Sequence, residues 1–325
     1  MDLRLALHEL AAEHRLDAQA SRRLEELAAL DAEPPALTRW MPLGLAMLAA
    51  ALLGLGLVFW IAASWDSLGR FGRFAVLQGV VGATALAALW RPVLQAPLSL
   101  VLLLATGALF AHFGQTYQTG ADPWQLFALW AALTLPLALG ARSDLIWAPW
   151  ALVVFVAIAL WIHAHTGHRW RVEPDDLAVH VVGWAAALAV VAALSDFGRR
   201  LTGAGPWALR TAVTLAVVVL TSTALAGLFG RSVGTHYVLG LVVLAAMAAA
   251  FAPARGFDVY ALSAAALGVN TLLVAGLGRA LLEDAHGDPI GRLFLLGLAA
   301  AGLLAASVSG VLRLARARTR QGSDA

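Results

Sequence analysis

Long apolar runs separated by short polar segments dominate the pattern of this chain. Ten runs approach the roughly 20 mostly apolar residues that a transmembrane helix needs. They are continuously apolar rather than alternating, which excludes an outer-membrane barrel. The pattern predicts an all-α fold, a polytopic transmembrane helical bundle of about ten spans, of which the eighth is the shortest. The predicted spans are Met41–Ser64, Phe71–Trp90, Val93–Phe113, Trp124–Gly140, Leu145–Trp161, Leu177–Leu194, Trp207–Phe229, Thr235–Phe251, Val259–Leu277 and Ile290–Leu312.

The N-terminal segment has a different pattern, charged and helical rather than continuously apolar. Asp17 suits a helix N-cap, and Pro34–Pro35 ends a second short helix. We therefore predict a small cytoplasmic amphipathic helical pair. Its net acidity argues against a polybasic lipid anchor; it is either a cap over the inner face of the bundle or a docking site for a partner. The predicted domains are residues 1–36 (helical pair), 37–313 (bundle) and 314–325 (basic cytoplasmic tail).

Composition supports a membrane protein and excludes several chemistries. The chain of 325 residues is 61% hydrophobic and 13% charged, against about 45–50% and about 25% in soluble domains. All 22 basic residues are Arg, and Cys is absent. Lysine Schiff-base chemistry, thiol nucleophiles, cysteine metal sites and the P-loop lysine are therefore excluded. The connections between spans are too short to hold a separate enzyme domain.

The distribution of arginine predicts the orientation. With the N-terminus in the cytoplasm, the inner segments carry fifteen arginines and the outer segments carry seven. Positive residues accumulate on the cytoplasmic side of membrane proteins. The sequence therefore predicts that both termini are cytoplasmic and that the lipid bilayer is the main partner.

The segment between spans three and four is polar, rich in amides and free of Arg. Asp122–Pro123 has the form of an N-cap followed by Pro at the first helical position. The segment is either a ligand-binding or re-entrant stretch, or a capped turn whose side chains satisfy their own backbone. Its candidate ligand-binding residues are His112, Gln115, Tyr117, Gln118, Asp122 and Trp124.

The string FGQTYQTGADPWQLFALW within this region resembles the signature of a bacterial family of predicted multi-pass membrane proteins, domain of unknown function family 2157. The exit of the first span, which contains Trp65 and Asp66, resembles the same family and adds two candidate ligand-binding residues. The resemblance extends roughly to Asp144. It implies a bacterial inner-membrane location, and it transfers no catalytic residues because the family has no established activity.

Polar side chains also occur at the span ends. Asp122, Asp144 and Asp258 each start a span, which is typical of N-caps. Among the mild polar groups, the Thr221–Ser222–Thr223 cluster lies in the outer half, where it can line a cavity or bond within the bundle. Small residues form a ridge on span one (Ala46, Ala50, Gly54) and another on span ten (Gly302, Ala306, Gly310); each is an intramolecular contact or a dimer seam.

Seven of the nine histidines fall at or near predicted outer ends of spans. Imidazole with nearby carboxylates can bind a divalent metal such as zinc, and His163, His165 and His168 are the candidate ligands. The same groups can act as a pH sensor. The alternative to both is an ordinary set of interfacial side chains.

These features favour a non-enzymatic protein, either for transport or binding of a small solute or as a component of a membrane complex. The alternatives are a sensor or scaffold acting through the N-terminal helices and, less favoured, a membrane-embedded transferase using the polar loop between spans five and six. Nucleotide-binding and HExxH motifs are absent from the sequence, and its GxSxG string, Gly230–Gly234, lies between two apolar runs rather than in the strand–turn–helix that a catalytic elbow needs. We therefore expect no nucleic-acid partner. A membrane-protein partner or a homodimer is an open alternative, and the sequence defines no cofactor.

Overall fold

A computed structural model describes residues 3–17, 19–21, 23–24, 35–63, 69–90, 94–117, 120, 122–167, 172–230, 233–253, 256–283 and 289–323. These residues form helices and connecting turns and contain no β-strand. The chain divides into two compact units, residues 1–49 and residues 50–325. The division into helical pair, bundle and tail stays a prediction.

The first unit contains helix α1 (Leu3–Glu13) and the start of helix α2 (Pro35–Ala63). Asp17 forms the predicted cap, because its Oδ1 accepts a hydrogen bond of 2.6 Å from the Ala20 amide. Residues 19–21 and 23–24 are helical, and the rest of the predicted second helix lies outside the described residues. Helix α2 begins at Pro35, earlier than the predicted span, because proline is well suited to the first turn of a helix.

The second unit contains the remainder of α2 and nine further long helices. Each predicted span corresponds to one helix, α2 to span one and so on in chain order. The helices are α3 (Gly69–Trp90), α4 (Gln95–Tyr117), α5 (Pro123–Ala141), α6 (Asp144–His165), α7 (Leu177–Leu194), α8 (Pro206–Leu228), α9 (Thr235–Phe251), α10 (Val259–Leu282) and α11 (Pro289–Ser323).

Length and apolar composition make eight of the described helices able to cross a membrane. Two helices fall short of that length. In α2 the described apolar part is Gly44–Gly56 only, although the whole helix is longer, and α9 has 17 residues in total. The eighth span is thus the shortest of the ten helices, as predicted. Helix α11 continues to Ser323, so the basic C-terminal segment extends the last span as a helix through most of its length.

Helix α8 forms the centre of the second unit and packs against α6, α7, α9 and α10. Its buried face has small or apolar side chains at every fourth position, which places them in one row along the helix. Four of the six residues in this row are alanine, so neighbouring backbones can approach closely. The row consists of Ala208, Ala212, Ala216, Leu220, Ala224 and Leu228.

Two aspartates cap helices at one end of this bundle, in different ways. Asp258 caps its own helix, because its Oδ1 accepts from the Ala261 amide at 2.8 Å. Asp144 instead follows the N-cap of α6, which is Ser143. Its carboxylate accepts from the amides of Gly205 at 2.6 Å and Trp207 at 3.0 Å. Asp144 therefore caps α8 and joins two helices that are far apart in sequence.

The two small-residue ridges differ in their surroundings. A Cβ atom at Gly54 would lie 2.8 Å from Leu104, so this part of the span-one ridge contacts α4. At Gly302 and Gly310 of span ten, a Cβ atom would meet no atom within 4 Å among the described residues. The described chain therefore supplies an intramolecular contact for the first ridge and none for the second.

Candidate functional site

The amide-rich segment is largely the end of a helix. His112, Gln115 and Tyr117 lie in the last turns of α4, so the expected turn begins later than the sequence suggested. His112 is buried, whereas Gln115 and Tyr117 are exposed. Three other predicted ligand-binding residues lie outside the described residues: Gln118, Trp65 and Asp66.

His112 packs within an aromatic group that joins α3 to the end of α4. Its ring centroid lies 4.6 Å from that of Phe74. Tyr117 lies 5.8 Å from Phe74 and 4.9 Å from Phe113, again between ring centroids. Ring contacts at these distances stabilise helix packing. The sequence reasoning did not single out Phe74, because an apolar residue near the start of a span has no distinctive signal.

Asp122 occupies the N-cap position of α5, as predicted, with Pro123 as the first helical residue. The predicted capping hydrogen bond from the side chain is absent; the backbone carbonyl of Asp122 accepts from the Gln125 amide at 3.0 Å instead. Trp124 is half-buried, and its ring lies 6.0 Å from that of His165. The described part of this segment therefore resembles a packed helix junction more than an open binding cleft.

A cavity of about 210 Å³ lies where the end of α6, the start of α7 and the end of α8 meet. These are the ends that the arginine distribution places outside. Its polar lining residues are His163, Thr166, His180, Ser222 and Thr223, and Val219 and Ala226 are among its apolar lining. The sequence analysis selected all of these polar residues except Thr166, but separately, as outer histidines and as part of the 221–223 cluster. The structure brings them together.

Hydrogen bonds within the cavity walls determine which side-chain lone pairs and donor groups remain for a ligand. The Asp176 carbonyl accepts from His180 Nδ1 at 2.9 Å, so in the neutral ring Nε2 carries a lone pair. Ser222 donates to the Val219 carbonyl at 3.1 Å. Thr223 donates to the same carbonyl at 2.8 Å and accepts from Trp184 Nε1 at 3.0 Å. The walls therefore present mainly hydrogen-bond acceptors.

A second histidine, His236, packs against the ring of His180. The ring of His236, which is 1% exposed, stands edge-on to His180 with centroids 4.9 Å apart. The ring of Trp184 lies 6.5 Å from His236. His236 fits this position because Gly227 of α8 has no side chain; a Cβ atom there would lie 2.7 Å from the His236 Cβ. The sequence reasoning missed Trp184 and the contact between the two histidines.

The proposed metal ligands do not form a cluster in the described chain. His163 lines the cavity, whereas His165 packs on Trp161 with ring centroids 4.5 Å apart. His168 lies outside the described residues. No group of three His, Asp or Glu residues in the described segments could hold a metal ion. Of the three candidate ligands, only His163 lines the cavity among the described residues.

The series of long apolar helices defines an all-α integral membrane protein of the multi-pass class. A family model described as Predicted membrane protein (DUF2157) matches residues 8–147, which confirms the family resemblance over that part of the chain. No curated protein matches the chain. No solved structure matches it either. The histidine-lined cavity lies beyond the residues that the family model covers.

Proposed function

We propose that this protein binds a small polar solute in the cavity of His163, His180, Ser222 and Thr223, and that this binding serves transport or recognition of the solute. The observation that carries the proposal is the convergence of three helix ends on one cavity whose mostly apolar lining includes His163, His180, Ser222 and Thr223. Binding sites of this kind combine a mostly apolar lining with a few placed polar groups.

The walls favour a solute that donates hydrogen bonds. His180 Nε2 and the Ser222 hydroxyl offer lone pairs to the cavity, and no carboxylate of the described residues lines it. At about 30 Å³ per molecule in the liquid, its volume corresponds to roughly seven waters. A neutral amine, amide or polyol of about that many heavy atoms matches both the size and the chemistry.

The test is thermal unfolding of the purified chain in detergent with a panel of small amines, amides and polyols, each paired with its methylated analogue. A ligand at about 100 times its Kd stabilises the folded state by about 2.7 kcal/mol. We expect a donor-bearing solute to raise Tm and its methylated analogue to have a smaller effect.

Variants of the cavity residues test whether the ligand-induced stabilisation arises from binding in this cavity. His180→Phe removes the acceptor and Ala226→Leu fills the pocket, and each should abolish the stabilisation. The matched control is His165→Phe, because His165 lies against Trp161 and outside the cavity lining; it should leave the stabilisation unchanged. Stabilisation that persists in both His180→Phe and Ala226→Leu would contradict the proposal.

We further propose a bacterial inner-membrane location with both termini in the cytoplasm, which the arginine distribution supports. Membership of a membrane complex and a homodimer remain compatible with this proposal, as do signalling through the N-terminal helices and transferase activity. The small-residue ridge of α11, which has no partner among the described residues, is the observation that favours testing the oligomeric state.

A further inference from the structure

A second cavity, of about 650 Å³, lies at the opposite end of the same helices. Helices α7 and α9 form its walls, and Leu209 of α8 lies at its floor. We call it the slot. It is lined along α7 from Leu188 to Ser195 and along α9 from Val242 to Phe251. Its exposed lining residues, such as Ala192 and Ala246, show that it opens to the side of the bundle.

The slot is apolar along its length and polar at one end. At about 1.5 Å per residue, the stretches of α7 and α9 that line it are roughly 10 and 14 Å long. One leaflet contributes about half of a hydrocarbon core roughly 30 Å thick, so the slot is about as long as one leaflet is deep. Its charged groups, Asp196, Arg199 and Asp258, lie together at the end where α7 finishes and α10 begins.

Two ion pairs lie at this mouth. Arg199 Nη1 lies 3.0 Å from Asp196 Oδ1, and both side chains are about half exposed. Arg210 Nε lies 3.9 Å from Asp258 Oδ2. Each of these two guanidinium groups thus has a carboxylate beside it, and the two pairs together carry no net charge. Phe197 stands beside this group and is 91% exposed, as expected of an aromatic side chain at the membrane interface.

We propose that the slot holds one acyl chain of a phospholipid whose headgroup carries both a phosphate and a primary ammonium. A guanidinium binds phosphate oxygens through charge-assisted hydrogen bonds, which assigns the phosphate to Arg199. The ammonium N–H groups donate to Asp196. A purely anionic headgroup that takes Arg199 leaves Asp196 without its cationic partner. A quaternary ammonium has no N–H to donate, so the mouth distinguishes it from a primary one.

Native mass spectrometry of the full chain in detergent tests this assignment. The protein is incubated with equimolar phosphatidylethanolamine, phosphatidylcholine and phosphatidylglycerol that carry identical acyl chains. We expect phosphatidylethanolamine to be retained several-fold more than the other two. Asp196→Asn should bring its retention down to that of phosphatidylcholine, and Ala246→Trp should remove the preference by filling the slot.

The matched control is Ala305→Trp, which places the same side chain on the exposed surface of α11 and should leave the preference intact. Ala250→Leu narrows the same slot with a smaller side chain and replaces Ala246→Trp where that variant fails to elute as a monodisperse helical protein. Equal retention of the three lipids overturns the assignment. So does a preference for phosphatidylglycerol, or phosphatidylethanolamine retention that the slot-filling variants leave unchanged.

Discussion

Asp144 bonds to residues that lie 61 and 63 positions further along the sequence. Its two hydrogen bonds to the backbone at the start of α8 are of the charge-assisted kind, which contribute about 1.5–3 kcal/mol each. We expect Asp144→Ala to lower the free energy of unfolding by about 2–4 kcal/mol. Asp258→Ala removes one local cap and should cost about 1 kcal/mol. Reversible SDS unfolding of the two purified variants measures both costs, and equal losses would contradict the distinction.

A substitution at Gly205 tests the same contact between the Asp144 carboxylate and the start of α8. A Cβ atom at Gly205 would lie 2.5 Å from Asp144 Oδ2, so Gly205→Ala must displace the carboxylate. Residues that share one contact show non-additive effects. Gly205→Ala combined with Asp144→Ala should therefore cost less than the sum of the two single changes. Additive costs would mean that the carboxylate does not hold the α8 start.

At the scale of single elements, the row of alanines on α8 shows why packing is harder to predict than helices. The sequence reasoning selected small-residue ridges on spans one and ten, and it passed over span seven. Small residues are frequent in every span of this chain, so their spacing alone does not mark the central helix. What distinguishes α8 is that other helices surround it, and that property depends on the tertiary arrangement.

The pair α4 and α5 offers a test of close helix contact. A Cβ atom at Gly107 would overlap the ring of Trp130, whose Nε1 donates to the Leu103 carbonyl at 3.0 Å. Gly107→Ala should destabilise the protein by about 1–3 kcal/mol, the usual cost of overpacking. Gly82 of α3 has no atom within 4 Å of a Cβ position. Gly82→Ala should therefore be neutral or stabilise by about 0.5–1 kcal/mol through helix propensity.

Thermal or SDS unfolding of these two glycine variants in the same detergent measures the contrast. A loss at Gly82 as large as that at Gly107 would show that the cost arises from the substitution itself rather than from the Trp130 contact.

At the scale of the whole molecule, the predicted count of ten spans implies that the two chain ends lie on the same side of the membrane. We expect reporter fusions at Gln321 and at Thr119 to lie on opposite sides, with Gln321 in the cytoplasm. The arginine excess of the inner segments is the physical basis for this orientation. Paired alkaline phosphatase and fluorescent protein fusions provide the measurement, and the same compartment for both positions would contradict the ten-span count.

The sequence was sufficient for the helices and insufficient for the pocket, for one physical reason. A transmembrane helix is defined by a local run of apolar residues, and each of the ten runs corresponds to a helix. The cavity depends on which helix ends meet, so His163, His180 and Ser222 carried a signal only as separate polar residues near span ends. Asp122 illustrates the same limit, because its N-cap position was predictable whereas its side-chain hydrogen bonding depended on its neighbours.

The contact between Asp144 and the start of α8 has a consequence for biogenesis. The ribosome synthesises α6 and α7 before Gly205 and Trp207. The Asp144 carboxylate therefore lacks these two amide donors until the start of α8 has been translated. The row of alanines on α8 likewise meets α6 and α7 only once α8 itself has been inserted. Stable packing of α6 and α7 therefore follows insertion of α8, and arrested chains that end before Gly205 should be more sensitive to protease in α6 and α7 than chains that end beyond Leu228.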